Sequence, residues 1–301
     1  METKFECYPL VTIVTPTYNQ ADYLAETIES VLNQSYPNIE YIVINDGSTD
    51  HTEQVLDRYR DKVVCIQQEN IGQSATLNKG WSMAKGDFLT YLSSDDIIYP
   101  DAVASLVEGI VKYHHGDGVG LVYGDFDTIN QNREKIKTLR SENYDEKRLI
   151  VDLVCQPGLL PLFVNSIFKS TGGWDINLKQ VPDFDFWLRC SSLTIFKRLP
   201  IVVGGYRVHE GSASFSVMSH DRAFEIVSVV SRFYLTRNCE KLRRDAISNA
   251  YLIATKNSLQ SKRFLLGVQY LLKAIKIRPV SLIKLTTYRL IISGVIRRSL
   301  Y

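Results

Sequence analysis

Phe88-Leu89-Thr90-Tyr91-Leu92-Ser93-Ser94-Asp95-Asp96 is an apolar, β-prone run that stops abruptly at two adjacent carboxylates. Such a run reads as a buried strand. Two neighbouring Asp side chains at its end repel each other and lose hydration against a sheet, so keeping both ionised favours a counter-cation. A divalent metal with oxygen ligands suits that position, and a solvated turn with Asp101 capping the next helix is the competing reading.

Upstream the same pattern recurs. Leu10-Val11-Thr12-Ile13-Val14-Thr15 stops at Pro16 and runs into Thr17-Tyr18-Asn19, and Tyr41-Ile42-Val43-Ile44 is cut off by Asn45-Asp46-Gly47-Ser48-Thr49-Asp50. A third run, Val63-Val64-Cys65-Ile66, precedes a turn at Gly72. Between the first two, Leu24, Ile28, Val31 and Leu32 recur at helical spacing over 21–33, and further helices are expected through Leu56 and across 74–83. Strands separated by helices argue for right-handed βαβ units, hence an α/β fold with a mostly parallel central sheet flanked by helices. Ligands bind outside the carboxyl ends of such strands. Thr17, Tyr18, Asp46, Asp95 and Asp96 all sit at these ends and are expected to converge on one crevice. Alone, Asp46 reads equally as a turn residue before Gly47, and Tyr18 as surface packing.

Downstream, the pattern predicts a helix over 101–113, a loop at His114-His115-Gly116-Asp117-Gly118, strands over 119–123 and 126–129, and a charged segment over 131–148. The histidine pair has no carboxylate or Cys at ligand spacing and reads as a solvated loop. From Arg222 onward long helical patterns dominate, broken at Pro279. Two domains are therefore expected, a catalytic one over 1–220 and a basic helical region over 221–301.

The net charge of +2 over 301 residues conceals an asymmetry. Residues 1–221 carry 19 Lys and Arg against 30 Asp and Glu, whereas residues 222–301 carry 16 against 3, and Asp245 is the last acidic residue. Such a tail points to an anionic partner. Leu285, Tyr288, Ile292 and Ile296 recur at helical spacing beside Lys284, Arg289, Arg297 and Arg298, the pattern of an in-plane helix on anionic lipid. No nucleic-acid motif accompanies the charge, so nucleic acid is not expected as a partner. Five cysteines, odd in number and never in a CxxC pair, indicate neither a disulfide framework nor a zinc site. With no signal peptide and no apolar run of roughly 18 residues, the expected location is the cytoplasm, at the inner face of the membrane. The oligomeric state stays open.

Taken together, Val11-Thr12-Ile13-Val14-Thr15-Pro16-Thr17-Tyr18-Asn19, Asn33-Gln34-Ser35-Tyr36-Pro37, Asn45-Asp46-Gly47-Ser48-Thr49-Asp50, Asn70-Ile71-Gly72-Gln73-Ser74, Asn78-Lys79-Gly80, Gly86-Asp87 and Ser93-Ser94-Asp95-Asp96 resemble one family. It is the inverting nucleotide-sugar glycosyltransferases of family 2, with the glycosyltransferase-A fold. The resemblance covers roughly residues 8–215 in order, which makes it specific where any one motif is weak.

The resemblance implies that Thr17 and Tyr18 hold the nucleoside, that Asp46 accepts a hydrogen bond from the base, and that Asp95 and Asp96 fill the metal-binding slot. Asp96 is then the direct ligand of Mn2+ or Mg2+ on the donor diphosphate. A leaving nucleoside diphosphate gains negative charge as the glycosidic bond breaks, which a metal clamp stabilises. Inversion needs a base across the sugar, and the family's Asp maps onto Asp183 in Asp183-Phe184-Asp185-Phe186-Trp187-Leu188-Arg189, with Asp185 as fallback. Pro182 stands where the family usually has Glu, which removes a charge that would raise the Asp183 pKa. Tyr206-Arg207-Val208-His209-Glu210-Gly211-Ser212 resembles the late motif whose Arg and His approach the diphosphate and metal, which makes Arg207 and His209 donor-binding and His209 a metal ligand. Gln156-Pro157 borders the acceptor side, although the residues after Pro157 depart from the usual Phe-Arg.

The implied activity is transfer of a sugar from a nucleotide-diphosphate donor to a hydroxyl of a glycan or lipid-linked acceptor, in surface polysaccharide or glycolipid assembly. One rival is a sugar-phosphate nucleotidyltransferase, which would want a glycine-rich loop where Thr15-Pro16-Thr17-Tyr18-Asn19 has no glycine. The other is a non-catalytic nucleotide-sugar or carbohydrate-binding protein, which Pro182 favours. A dehydrogenase is disfavoured because no GxGxxG follows a strand.

Overall fold

The computed structural model describes residues 8–209, 220–235 and 239–279. Its first strand, β1 (Val11–Thr17), is buried along its whole length. β-Branched residues on both faces suit it to a central position. It pairs in parallel with β2 (Ile39–Asp46) and with β4 (Phe88–Tyr91), while β2 pairs in parallel with β3 (Val64–Gln68). The crossovers are α1 (Ala21–Leu32), α2 (Thr52–Asp57) and α3 (Gln73–Met83). Asp50 fixes where two of them begin, because its carboxylate accepts the backbone N–H groups of Ala21 and Thr52.

The sheet then continues through shorter and mixed pairings. Its order is β3-β2-β1-β4-β8-β6-β9-β5, with β8 Leu162–Val164, β6 Val119–Ile129, β9 Ile195–Arg207 and β5 Ile97–Ile98. A further strand, β7 (Lys135–Leu139), pairs with β6. The ladders β4–β8, β6–β8, β6–β7 and β5–β9 are antiparallel, and β6–β9 is parallel. The expected parallel sheet is thus present, with antiparallel strands added at one side.

Three readings of the sequence change. His114 and His115 belong to α4 (Ala102–Asp117), because the left-handed residue that ends the helix is Gly118, at φ 66°. His114 Nδ1 lies 2.8 Å from the Val119 carbonyl, which holds it to the following strand. The two strands expected over 119–129 are one, since Gly124 continues the ladder where a Cβ would meet the backbone and side chain of Ile201. The charged segment contains β7, whose exposed lysines suit a sheet edge.

Apolar side chains of β1, β2 and β6 meet α1 and α4 in one core that includes Ile13, Val43, Leu24, Ile28, Leu106, Ile110 and Val122. Each such buried side chain is worth about 1.5–3 kcal/mol relative to exposure. The chain forms two compact units rather than dividing once at residue 220. The first comprises 1–144, 156–176 and 190–209, and contains every strand and α6 (Asn165–Thr171). The second comprises 145–155, 177–189 and 210–301.

The second unit gathers α5 (Glu146–Ile150), most of α7 (Pro182–Cys190), α8 (His220–Phe233), α9 (Glu240–Gln260) and α10 (Phe264–Ile277). Its two inserted segments are bonded to these helices. Tyr234 Oη donates to the Ile150 carbonyl, Asn249 Nδ2 to the Val151 carbonyl, and the Glu225 carboxylate accepts the backbone N–H groups of Lys179, Gln180 and Val181. The sequence pattern over 285–298 and the segment 210–212 lie outside the described residues.

Candidate active site

β4 ends at Tyr91, and Leu92 is still tied to the sheet by its N–H to the Val14 carbonyl. Residues 93–96 then turn, with Asp96 N–H donating to the Ser93 carbonyl, and the chain enters β5. Pairing of Ile97 with Gly205 and Ile98 with Gly204 carries the turn alongside the end of β9. That approach needs glycine, because a Cβ on Gly204 would collide with the Ile97 carbonyl oxygen and come within 2.9 Å of Ile98 Cα. The two carboxylates are thereby delivered to Arg207 and His209.

There the contacts are specific. Asp96 Oδ1 accepts the Arg207 backbone N–H at 2.8 Å, and Asp95 Oδ2 lies 3.0 Å from His209 Nε2. Asp96 is nearly excluded from solvent, whereas the Asp95 side chain retains 18% exposure. Burial, and next the charge of Asp95, push the Asp96 carboxyl well above the ordinary carboxylate range, against the pull of Arg207. A bound cation would oppose both effects by favouring the ionised form.

Behind the pair stands Arg207, which is buried to 1% exposure. Its Nε donates to the Asp95 carbonyl at 2.7 Å, Nη1 to the Gln131 carbonyl at 2.8 Å, and Nη2 to Glu26 Oε2 at 2.7 Å. The guanidinium also lies over the Tyr23 ring, 4.9 Å from its centroid, and the same ring packs on His209. The side chain expected to reach the diphosphate is therefore turned into the protein, where it braces the acidic turn. Thr27 adds to the brace by donating to the Ser94 and Asp96 carbonyls.

Tyr23, Glu26 and Thr27 were not among the expected site residues. They lie at i, i+3 and i+4 on α1, so they share a face. That spacing was the available signal, but polar residues on an amphipathic helix read by default as its solvent side.

On the β1–β2 side, Thr17 and Asn45 are register partners at adjacent strand ends. Tyr18 is 48% exposed, with a ring face available for stacking. Asp46 is buried, and its Oδ1 accepts from Gln68 Nε2 and Ile71 N–H while Oδ2 accepts from Gly72 N–H, all within 2.9 Å. A carboxylate has about four acceptor directions, so three protein donors leave one for a ligand. The structure thus brings Asp95, Asp96, Arg207 and His209 together and sets Thr17, Tyr18 and Asp46 at the ends of the two neighbouring strands.

Asp183 and Asp185 belong to the second unit, at the start of α7. Asp185 is buried between two guanidinium groups, with Arg189 Nη2 2.8 Å from Oδ2 and Arg232 Nη2 2.7 Å from Oδ1. Both of its oxygens are engaged in ion pairs. Asp183 is different. Burial raises its carboxyl pKa, opposed by hydrogen bonds from the Phe184 backbone and its own. Desolvation thus acts in the direction expected of the missing Glu at 182.

As for a metal, no group of three or more His, Cys, Asp and Glu side chains among the described residues is arranged to hold one. The oxygen and imidazole donors of Asp95, Asp96 and His209 nevertheless suit Mn2+ or Mg2+, provided a ligand's phosphates supply the remaining positions.

Residues 12–171, more than half of the chain, match the family model described as glycosyl transferase family 2. The chain belongs to this family. Among curated relatives, this glycosyltransferase is 32% identical over 226 residues to an uncharacterized glycosyltransferase of Rickettsia typhi, covering 72% of this chain and 70% of that one. It covers only 58% of a Rickettsia prowazekii relative and 38% of one from Rickettsia bellii. Chondroitin synthase of Escherichia coli is 28% identical over 199 residues, which is 64% of this chain and 28% of the synthase.

Among solved structures, S. aureus TarS residues 1–349 in complex with UDP-GlcNAc superposes with a TM-score of 0.69 at 19% identity, covering 94% of this chain and 84% of that one. The mannosyltransferase PcManGT of Pyrobaculum calidifontis, in complex with GDP-Man and Mn2+, gives 0.57 at 17% identity over 96% and 80%. These likenesses give the family 2 glycosyltransferase its fold, the mixed glycosyltransferase-A sheet with flanking helices and a helical C-terminal region.

Proposed function

We propose that this glycosyltransferase moves a sugar from a nucleotide-diphosphate donor to a hydroxyl of a glycan or lipid-linked acceptor, with inversion, in surface polysaccharide or glycolipid assembly. The observation that carries the proposal is the braced Asp95-Asp96 turn with His209 beside it, at the edge where β1 and β2 present Thr17, Tyr18 and Asp46. The names of its neighbours support the donor class, since TarS and PcManGT were captured with nucleotide sugars. A relative named chondroitin synthase supports a polysaccharide product.

In this reading Tyr18 stacks on the nucleobase, Asp46 accepts from it with its remaining lone pair, and Thr17 lies beneath the nucleoside. Asp95, Asp96 and His209 would hold a divalent ion, which supplies positive charge to the departing diphosphate. Arg207 acts through Asp95 and Asp96 by fixing their positions. Asp183 takes the proton of the acceptor hydroxyl as that oxygen attacks the anomeric carbon, while the diphosphate leaves from the opposite face. A pKa above the usual Asp range makes it a better base than a solvated carboxylate. Asp185 serves to anchor α7. The basic C-terminal region would hold the enzyme at an anionic membrane surface on the cytoplasmic side.

The test is a panel of nucleotide sugars with Mn2+ and lipid-linked acceptors, read by mass spectrometry. Transfer from one donor, lost with chelator and with Asp96→Ala, is expected. Transfer unaffected by either would refute the metal assignment, and pyrophosphate release from a nucleoside triphosphate would revive the nucleotidyltransferase.

A further inference from the structure

Large apolar side chains are conspicuous on one helix of the second unit. On α10, Phe264 is 57%, Leu265 76%, Val268 50% and Leu272 60% exposed. Gly267, Tyr270 and Ala274 form the buried face of the same helix. At about 100° per residue, the four exposed side chains fall in one stripe that points roughly 140° away from that buried face. The stripe is therefore not the margin of the internal packing. It is a second, outward apolar face, such as soluble proteins seldom leave contiguous without a use.

Its surroundings say what kind of surface it fits. Lys262 and Lys276 are exposed beside the stripe, whereas Lys273 on the same side turns its Nζ over the Tyr251 and Tyr270 rings. α10 contains no acidic residue, and none occurs in the chain after Asp245. Residues 222–301 carry 16 Lys and Arg against 3 Asp and Glu. Among the described residues no helix is long and apolar enough to cross a membrane. Leucine and phenylalanine on one face with lysine at its border is the arrangement of a helix that lies in the plane of a lipid surface, its aliphatic side chains among the acyl chains and its ammonium groups at the phosphates. A nucleic acid would satisfy the lysines but leave the stripe in water.

We propose that the outward face of α10, formed by Phe264, Leu265, Val268 and Leu272 with Lys262 and Lys276 at its border, docks on an anionic lipid bilayer. The inference specifies where the membrane contact in the proposed function is made, and its test reads binding alone, so it stands or falls separately from the transfer reaction.

The experiment is flotation of the full chain with vesicles of phosphatidylcholine alone or with about 30% phosphatidylglycerol. Wild type should float only with the anionic vesicles, and should be released by salt in part. The Leu265→Gln, Leu272→Gln double variant should lose about tenfold or more in vesicle affinity, with an unchanged circular dichroism melt because both side chains are exposed. Lys262→Gln with Lys276→Gln should lose the preference for anionic lipid. The proposal is overturned if wild type does not float, or if the leucine variant binds as well as wild type, which would put the contact on residues 280–301. It is equally overturned if the wild type is a dimer by light scattering that the leucine variant converts to monomer without a change in lipid affinity.

Discussion

Replacing Arg207 by Met keeps the aliphatic stem and removes the guanidinium, so it isolates the brace behind the acidic turn. Loss of one partner from a fully buried ion pair costs about 3–5 kcal/mol, mostly because the other charge is stranded. Here the partner left behind, Glu26, has a side chain 34% exposed and still has Arg133 Nε 3.5 Å away, which reduces that contribution to about 1–2 kcal/mol. The Asp95 and Gln131 carbonyls lose their donors as well, at about 1 kcal/mol each. The sum, about 3–4 kcal/mol, corresponds to a fall in Tm of roughly 6–16 °C for a unit of this size. Thermal unfolding followed by circular dichroism measures it. Arg207→Lys restores the charge but cannot reach the carbonyls and Glu26 together, so it should recover less than half of the loss. In both variants the Mn2+ concentration for half-maximal transfer should rise, since Asp95 and Asp96 lose their support. A Tm within about 2 °C of wild type for Arg207→Met, or full recovery by Lys, would refute the brace.

Asp96→Asn keeps the acceptor for the Arg207 N–H but removes the buried charge. The folded-state pKa of Asp96 lies above its unfolded value, so ionising it costs stability as pH rises past that unfolded value. The variant should therefore melt higher than metal-free wild type at pH 7 and equally at pH below about 3.8, while Mn2+ should raise the Tm of wild type only. Asp183→Asn should abolish transfer with donor affinity retained, and wild-type transfer should fall as pH drops through a pKa above the ordinary Asp range; loss of donor binding by calorimetry would mean a structural role instead. Gly204→Ala should force β5 from β9 and cost about 1–3 kcal/mol, with metal affinity falling in step in a Mn2+ titration. Glu225→Ala leaves three backbone N–H groups ahead of Asp183 without their acceptor, and hydrogen exchange should accelerate at Lys179, Gln180 and Val181.

The first four strands were legible as apolar runs leading into polar or turn residues, as at Thr17-Tyr18-Asn19, Asp46-Gly47-Ser48 and Ser93-Ser94-Asp95-Asp96, although β1 continues through Pro16 to Thr17, one residue past the expected stop. That they pair in parallel followed from their alternation with helices. β5, with two residues, was invisible because its existence depends on Gly204 and Gly205, more than a hundred positions later, allowing close approach. For Arg207, a sequence cannot show that a cation is enclosed by Glu26, the Asp95, Asn130 and Gln131 carbonyls and the Tyr23 ring. Asp183 and Asp185 looked interchangeable, two carboxylates one residue apart in one helical turn. Only packing distinguishes them, with Arg189 and Arg232 closing on one and desolvation acting on the other.

The turn between β4 and β5 also has a property best expressed as slack. Leu92 is pinned to Val14, Asp96 N–H to Ser93, the Ser94 and Asp96 carbonyls to Thr27, and the Asp95 carbonyl to Arg207. A residue added or removed between 92 and 96 would break at least one of these ties. The hairpin between β6 and β7 is moored to the distant chain on a few residues, the Asn130 and Gln131 carbonyls to Arg207 and Arg133 to Glu26, while Asn132 and Glu134 are tied to Asn130 beside them. Because the hairpin and the acidic turn share Arg207 and Glu26 as their anchors, a change of length in the hairpin would reach the turn through Arg207, and the two segments are constrained together although they are distant in sequence.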